Sequence, residues 1–283
     1  MSPKFNLDAI YQQNLMKTDE LQQHLSPEVA AEIQSVYWYD EIDSTNQEAI
    51  RKIRAGELKK ALIIADSQKQ GSGRRGRKWI SPAAAGIYMS LLWPVQGPSA
   101  ALQGLSLVTA LSVKTALQEL GINGLKLKWP NDVLFEGSKL AGILLELQSG
   151  NWGLCLVIGI GVNACLNPAD RAKIDRPVTD IASILGSDVD RKVAIAGILD
   201  VLVKNVHRFE VEGFSPYQQE WNHSDCFYNK SVDICHGKVQ MTGKSEGVDE
   251  TGALILQTAS GRELITGGEV FPTVRALPLG AAT

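Results

Sequence analysis

The chain has 283 residues, 44% hydrophobic and 21% charged, with a formal net charge of −3. That length accommodates one large domain and a small one, and the composition excludes a disordered chain or a fibre. The net negative charge argues against general electrostatic attraction to nucleic acid or to an anionic membrane, so a basic cluster here is a local feature.

Residues 1–35 are polar and Gln-rich. Ser26-Pro27-Glu28 reads as an N-cap, a proline at the first helical position and an acidic first turn, so one or two short helices are expected. The N-terminus has no signal-peptide core, and no uninterrupted apolar run approaches the roughly 20 residues of a membrane span; the reading is cytoplasmic, with no membrane partner. "SVYWYDEI" predicts a strand. "DSTNQEAIRKIRAG" predicts a helix that Ser44 with Gln47, or Thr45 with Glu48, starts through a capping box and Gly56 stops.

"ALIIADSQ" and "GIYMSLLW" predict two apolar strands joined by the glycine-rich loop "GSGRRGRKW". Leu102, Leu105, Val108, Leu117 and Leu120 follow a helical period over residues 99–120, and Gly121 ends it. "LKLKWPNDVLFEGSKLAGILLELQ" and "WGLCLVIGIGVN" predict three successive antiparallel strands, and residues 191–209 a helix. Past Ser224 come short strands and glycine turns, the pattern of a small β-barrel. The expected fold is therefore α+β: a mixed or antiparallel sheet with flanking helices, then a C-terminal barrel. The divisions fall at 1–35, 36–223 and 224–283.

The four cysteines form no CxxC and read as free thiols in a reducing compartment. His223, Cys226, Cys235 and His236 match no usual zinc spacing, and their proximity in sequence reads as coincidence.

Four stretches carry chemistry. In the loop, Gly71, Gly73 and Gly76 let backbone N–H groups approach a ligand, and Arg74, Arg75, Arg77 and Lys78 add charge-assisted contacts to phosphate or carboxylate. Neither a P-loop nor a dinucleotide fingerprint is present. A solvated basic loop, or one that holds nucleic-acid phosphate, has the same composition; Trp79, able to stack on a base, favours a nucleotide. "KWPND" offers Asn131 and Asp132 in a frame stiffened by Pro130, the first toward a base or ribose and the second toward Mg²⁺. A plain Pro-Asn-Asp turn also fits. Lys139, at the mouth of "LAGILLEL" beside Gly142, is either solvent-exposed or aimed into a pocket to neutralise a reacting carboxylate or phosphate. "GIGVN" is a strand with two glycines, Gly159 and Gly161, which implies a bulge or something approaching the backbone closely.

Taken in order, "DSTN", "QKQGSGRRGRKW", "KWPND", "SKLAGILLE", "GIGVN" and "GGEV" resemble the biotin protein ligases over about residues 36–275. The resemblance implies a biotin/lipoate-ligase fold, similar to class II synthetases, with an SH3-like C-terminal barrel. It further implies ATP and Mg²⁺ as cofactors, biotin as substrate, and the biotin carboxyl carrier protein of acetyl-CoA carboxylase as acceptor. It places Ser44, Thr45, Asn46, Gln68, Ser72, Gly73, Arg74, Lys139, Gly142, Gly159 and Gly161 at biotin. It places Arg74, Arg75, Arg77, Trp79, Lys128, Asn131 and Asn163 at ATP or the adenylate, Asp132 at Mg²⁺, and Lys139 and Arg74 in catalysis, with Arg275 a further contact from the barrel.

Ser72 stands where the family usually has an arginine of GRGRRGR. Only about 35 residues precede the first catalytic strand, without the winged helix-turn-helix of the repressing members, so specific DNA binding is not expected, whereas a homodimer through a sheet edge is. The charged loop is expected to be mobile until an anion arrives. Lipoate or octanoate transfer on the same fold, and a biotin-responsive regulator that binds nucleic acid, are the alternatives.

Overall fold

The computed structural model describes residues 7–236 and 239–272. Two helices open the chain, α1 (Leu7–Gln22) and α2 (Pro27–Glu32); α2 starts as its sequence dictates, with the Ser26 side chain accepting from the Val29 N–H and Pro27 in the first turn. Both are fastened to the body of the protein. Leu21 and Val29 are fully buried, Lys17 pairs with Asp40 and Asp66, and the Ser26 hydroxyl donates to Asp200 at 2.6 Å.

Seven strands follow: β1 (Ser35–Ile42), β2 (Ala61–Gln68), β3 (Gly86–Val95), β4 (Lys126–Lys128), β5 (Asp132–Phe135), β6 (Ser138–Gly150) and β7 (Gly153–Asn163). They form one sheet in the order β1-β2-β3-β7-β6-β5-β4, parallel between β1 and β2 and antiparallel elsewhere. The expected mixed sheet is present, with four strands rather than three between residues 125 and 163. The turn at Trp129-Pro130-Asn131, with a cis Trp129–Pro130 bond, divides the first of them.

Helices cover both faces, which is why β2 and β3 are apolar without alternation. Leu62 and Ile64 face one way, into the core shared with α4 (Leu105–Glu119) and α7 (Arg191–Glu212). Ala61 and Ile63 face the other, against Ala49, Ile50 and Ile53 of α3 (Thr45–Arg54). Each fully buried Leu or Ile stabilises the fold by about 1.5–3 kcal/mol. Between β7 and α7 lie the short α5 (Pro168–Arg171) and α6 (Ile181–Leu185), and α8 (Gln218–Ser224) leads into the C-terminal part.

Two local expectations are corrected. The helix expected over 99–120 is a 3₁₀ turn, Ser99–Leu102, followed by α4. Gly104 between them has φ +89, and a Cβ there would meet the Phe214 side chain at 2.8 Å. Most of this apolar stretch, which has the length and composition of a membrane span, is buried as a core helix. Neither capping box forms at α3: Ser44 makes no side-chain cap bond, and the Thr45 hydroxyl lies against Gln68 and Ser90.

The C-terminal strands are β8 (Ser231–His236), β9 (Val239–Val248), β10 (Leu254–Thr258), β11 (Gly261–Ile265) and β12 (Glu269–Pro272). They form a separate antiparallel sheet in the order β11-β10-β9-β8-β12. Among the described residues this small β domain has β11 and β12 at its two edges, with no ladder between them. The indole of Trp129, donating to the Gly252 carbonyl at 3.2 Å, ties it to the first sheet.

Candidate active site

The site forms on the α3 face of the first sheet, where small side chains leave a hollow. Register places Ser90 beside Gly159 and Gly159 beside Leu144; one step along, Gly161 pairs with Gly142. Two cavities meet there.

The first, about 60 Å³, is lined from α3 and its approach by Ser44, Thr45 and Asn46, from β2 by Gln68, and from the loop by Ser72, Gly73 and Arg74. Strands β6 and β7 contribute Lys139, Gly142, Gly159 and Gly161. All eleven residues expected at biotin are thus brought together. The second cavity, about 760 Å³, is lined by Arg74, Arg77, Lys78, Trp79, Lys128, Asn131, Asp132, Lys139 and Asn163, and by Lys173 and Arg176 from the segment after β7. Gly73, Arg74, Trp79, Asn131 and Lys139 border both cavities.

Arg75 is not at either cavity. Its guanidinium donates to the Cys235 carbonyl at 3.2 Å and lies 3.6 Å from Glu269. Glu269 also takes both outer nitrogens of Arg77 at 2.6 Å, so a C-terminal carboxylate offsets the repulsion among the loop cations. Sequence reasoning missed this partner, which is almost 200 residues away. The loop is further braced by Gly73 N–H to Arg77 O at 2.7 Å and Trp79 N–H to Gly71 O at 2.8 Å. At Gly71 a Cβ would stand 2.5 Å from the Trp79 carbonyl, so this position requires glycine. Ser72 donates only to the Gln70 carbonyl.

Two cations reach the junction. Lys139 is 15% exposed and pairs with Asp132 at 2.6 Å; burial pulls its pKa below the ordinary lysine value, with Asp132 opposing. Backbone bonds to Pro177 and Thr179 fix the strand around it, and Asn163 donates to the Thr179 carbonyl at 2.9 Å. Arg74 donates to Asn131 Oδ1 at 3.2 Å, and burial followed by the neighbouring Arg75 lowers its pKa. Asn131 is itself pinned by its Nδ2 to the Ile143 carbonyl at 2.8 Å. Lys128 lies 5.2 Å from the Phe271 ring centroid.

The strand glycines prove to make room first for the chain's own side chains. A Cβ on Gly161 would stand 2.6 Å from the Trp79 indole and one on Gly142 3.0 Å from the Lys139 ammonium. A Cβ on Gly159 would stand 2.2 Å from Asn46 Oδ1. Trp79 therefore lies across the junction, with Lys139 Nζ 5.2 Å from its ring centroid and its Nε1 buried without a partner. The 60 Å³ left in the first cavity is room for about two water molecules.

Polar groups line its inner end. Gln68 Oε1 accepts from Thr45 N–H at 2.8 Å, Gln68 Nε2 donates to Ser81 at 2.8 Å, and Asn46 Nδ2 donates to Glu146 at 2.7 Å. Ser90 and Glu146 were not singled out in the sequence. A lone serine inside the apolar "GIYMSLLW", and Glu146 four residues past Gly142 on one strand and hence on one face, were the available signals.

Among the described residues no three His, Cys, Asp or Glu side chains cluster to hold a metal. Mg²⁺ is commonly held by one or two carboxylates together with substrate phosphates. Three carboxylates border the nucleotide-sized cavity: Glu269 is taken by Arg77, Asp175 lies beside Arg176, and Asp132, with only one oxygen on Lys139, fits a Mg²⁺ carried in on a nucleotide. The cysteines are unpaired. The side chain of His236, and all of Arg275, lie outside the described residues.

Two family models match: the biotin/lipoate A/B protein ligase family over residues 38–163 and the biotin protein ligase C-terminal domain over residues 228–271. The bifunctional ligase/repressor BirA of Escherichia coli is 38% identical over 232 residues, covering 81% of this chain and 71% of its own length. The biotin–[acetyl-CoA-carboxylase] ligase of Paracoccus denitrificans is 36% identical over 239 residues, covering 81% of this chain and 97% of its own. The chain belongs to the biotin protein ligase family. Its fold is likewise similar to that of the Aquifex aeolicus biotin protein ligase solved in complex with biotin and ATP, with a TM-score of 0.71 and 31% identity, covering 84% of this chain and 98% of that one. A biotin ligase thus combines a mixed-sheet catalytic part with a small C-terminal β domain here, as its sequence implied.

Proposed function

We propose that the chain joins biotin to ATP in these two cavities, forming biotinyl-5′-AMP, and then transfers biotin to a lysine of the biotin carboxyl carrier protein. The observation that carries this assignment is the junction. A pocket lined with amide and hydroxyl groups and a nucleotide-sized cavity lined with cations share Arg74 and Lys139, so an acid in the first and an α-phosphate in the second would meet between them. A polar inner end of Thr45, Asn46 and Gln68, backed by the buried Ser90, suits a ureido ring better than an alkyl or lipoyl chain.

In the first step the biotin carboxylate attacks the α-phosphorus, the bond to the β-phosphate oxygen breaks, and pyrophosphate leaves. Positioning and charge neutralisation dominate such a step. Lys139 and Arg74, both held in place by partners and both poorly solvated, neutralise the carboxylate and phosphate that approach each other. Mg²⁺, when bound, shields the phosphate charge; Asp132 is the residue that would hold it. Arg77, Lys78, Lys128 and Asn131 line the phosphate and base side, with Trp79 against the nucleotide and Asn163 supporting the strand beneath. In the second step the acceptor lysine amine attacks the carbonyl carbon of the mixed anhydride and AMP leaves. No side chain of this protein becomes acylated.

The proposal includes a cytoplasmic location, consistent with unpaired cysteines. It includes no specific DNA binding, consistent with α1 and α2 being packed onto the catalytic part. It also includes a homodimer: β5 pairs with β6 only between Ser138 and Gly142, which leaves the outer edge of β6 beyond that without a partner strand among the described residues. Mass spectrometry of a carrier domain incubated with the chain, Mg·ATP and biotin tests the transfer. One biotinyl group on the carrier lysine is expected, and none on a carrier with that lysine changed to arginine; an unmodified carrier refutes it.

A further inference from the structure

From a chain of hydrogen bonds behind the first cavity, buried at Thr45, Asn46 and Ser90 and half-buried at Glu146, we infer that Glu146 is a positioning residue that sets the direction of the side-chain protons in that chain and so makes Thr45 an acceptor toward the ligand. The inference rests on the biotin-activating reading and deepens it, because it names what selects the head group.

Partner chemistry forces the directions. A carboxylate accepts and cannot donate, so the side of the Asn46 amide facing Glu146 at 2.7 Å must be its NH₂. The Leu144 carbonyl, 3.4 Å from the same nitrogen, agrees with this orientation but is too long a contact to hold it alone. The amide oxygen therefore faces Ser90, at 2.5 Å. An amide oxygen cannot donate, so Ser90 spends its single proton there. The other close neighbour of Ser90 Oγ is Thr45 Oγ1 at 2.8 Å, and with the serine proton already used, Thr45 must donate across this contact. Its proton is thereby drawn away from Gln68 Oε1, 3.2 Å off, which instead accepts from the Thr45 N–H.

Thr45 is left with lone pairs only for a ligand. Asn46 and Thr45 are each 4% exposed and Ser90 is fully buried, so water does not compete for these directions, and an unsatisfied donor or acceptor among them would be costly. An acceptor at this point selects a head group that presents an N–H, as a cyclic urea does and a dithiolane or alkyl chain does not. Sites that hydrogen-bond a substrate N–H discriminate strongly against analogues lacking it.

The test measures pyrophosphate release by wild type, Glu146→Met and Glu146→Gln with biotin and with two cyclic-carbamate analogues, each replacing a different ring N–H with oxygen. Wild type is expected to reject one isomer by at least about tenfold more than the other. Glu146→Met frees Asn46 and Ser90 to reorient, so Thr45 can turn its proton toward the ring oxygen and that preference falls by about tenfold, with the KM for ATP unchanged. Glu146→Gln, whose amide oxygen still accepts from Asn46, should keep most of the preference. Thermal midpoints of the variants check the fold. Equal treatment of the two isomers by wild type, or parallel losses on all three acids in Glu146→Met, would overturn the assignment. Absence of any biotinyl adenylate from wild type is a different result: it removes the ligase reading itself, and the inference with it.

Discussion

Gly159→Ala tests whether the inner wall of the site is as tightly built as it looks. A Cβ at this position would lie 2.2 Å from Asn46 Oδ1 and 2.9 Å from both Cγ and Nδ2, against an ordinary contact of 3.4 Å or more. Asn46 has no easy retreat, because its amide is held at one end by Glu146 at 2.7 Å and at the other by Ser90 at 2.5 Å. Moving it breaks one hydrogen bond to a charged group and one neutral bond, together about 3 kcal/mol, within the range for overpacking a core. For a chain of this size that lowers Tm by roughly 6–12 °C, and biotin affinity should fall with it as the polar wall is displaced. Thermal melting and isothermal titration with biotin read both effects. Gly197→Ala is the control: within α7, with no atom within 4 Å of its Cβ position, it should be neutral or stabilising by about 0.4–1 kcal/mol. A Gly159→Ala protein with wild-type Tm and biotin affinity would show that Asn46 is not held as described.

Lys139→Ala should slow adenylate formation about 10²–10³-fold while partly retaining biotin binding; pyrophosphate release at the wild-type rate would remove the lysine from the mechanism. Since burial lowers the pKa of Lys139, adenylation should decline on the alkaline side at a pH below that of an ordinary lysine, as a rate profile would show. Arg74→Ala should release free biotinyl-AMP faster, and an unchanged dissociation rate measured by adenylate chase would contradict a clamp. Asp225, 6% exposed, has its pKa raised by burial from 3.8 to about 6. The folded state therefore keeps a proton that the unfolded state has lost, and stability should fall as pH rises through that window, by roughly 3 kcal/mol in all. Asp225→Asn should flatten the dependence and raise Tm above pH 6; a variant with the wild-type pH profile would refute this.

Much of the fold was legible because local signals agreed with tertiary ones. The strands at 35–42 and 61–68 are bounded by turn residues, and Ser26-Pro27 starts a helix with its own hydrogen bond. The helix at 99–120 misled because its apolar period continues through Gly104, whose left-handed backbone breaks the helix and whose missing Cβ leaves room for Phe214. The capping boxes at α3 failed because their hydroxyls are engaged elsewhere, by groups on β2 and β3. In the site, the motif residues that line the cavities were placed by the family resemblance that their order carries. What stayed hidden depended on contacts across the fold: Glu269 on Arg77, Glu146 behind Asn46, and the Trp79 indole lying over Gly161. Gly159 and Gly161 did signal close approach to the backbone, but sequence could not say that the approaching groups are the protein's own side chains.

The central claim is that the junction of the two cavities makes an acyl adenylate from biotin. Incubating the purified chain with Mg·ATP and either biotin or lipoate, with no acceptor present, and following pyrophosphate release together with bound adenylate by mass spectrometry tests it most directly. Biotinyl-AMP formed with biotin, and no adenylate with lipoate, is the predicted result; lipoyl-AMP, or no adenylate from either acid, would contradict it.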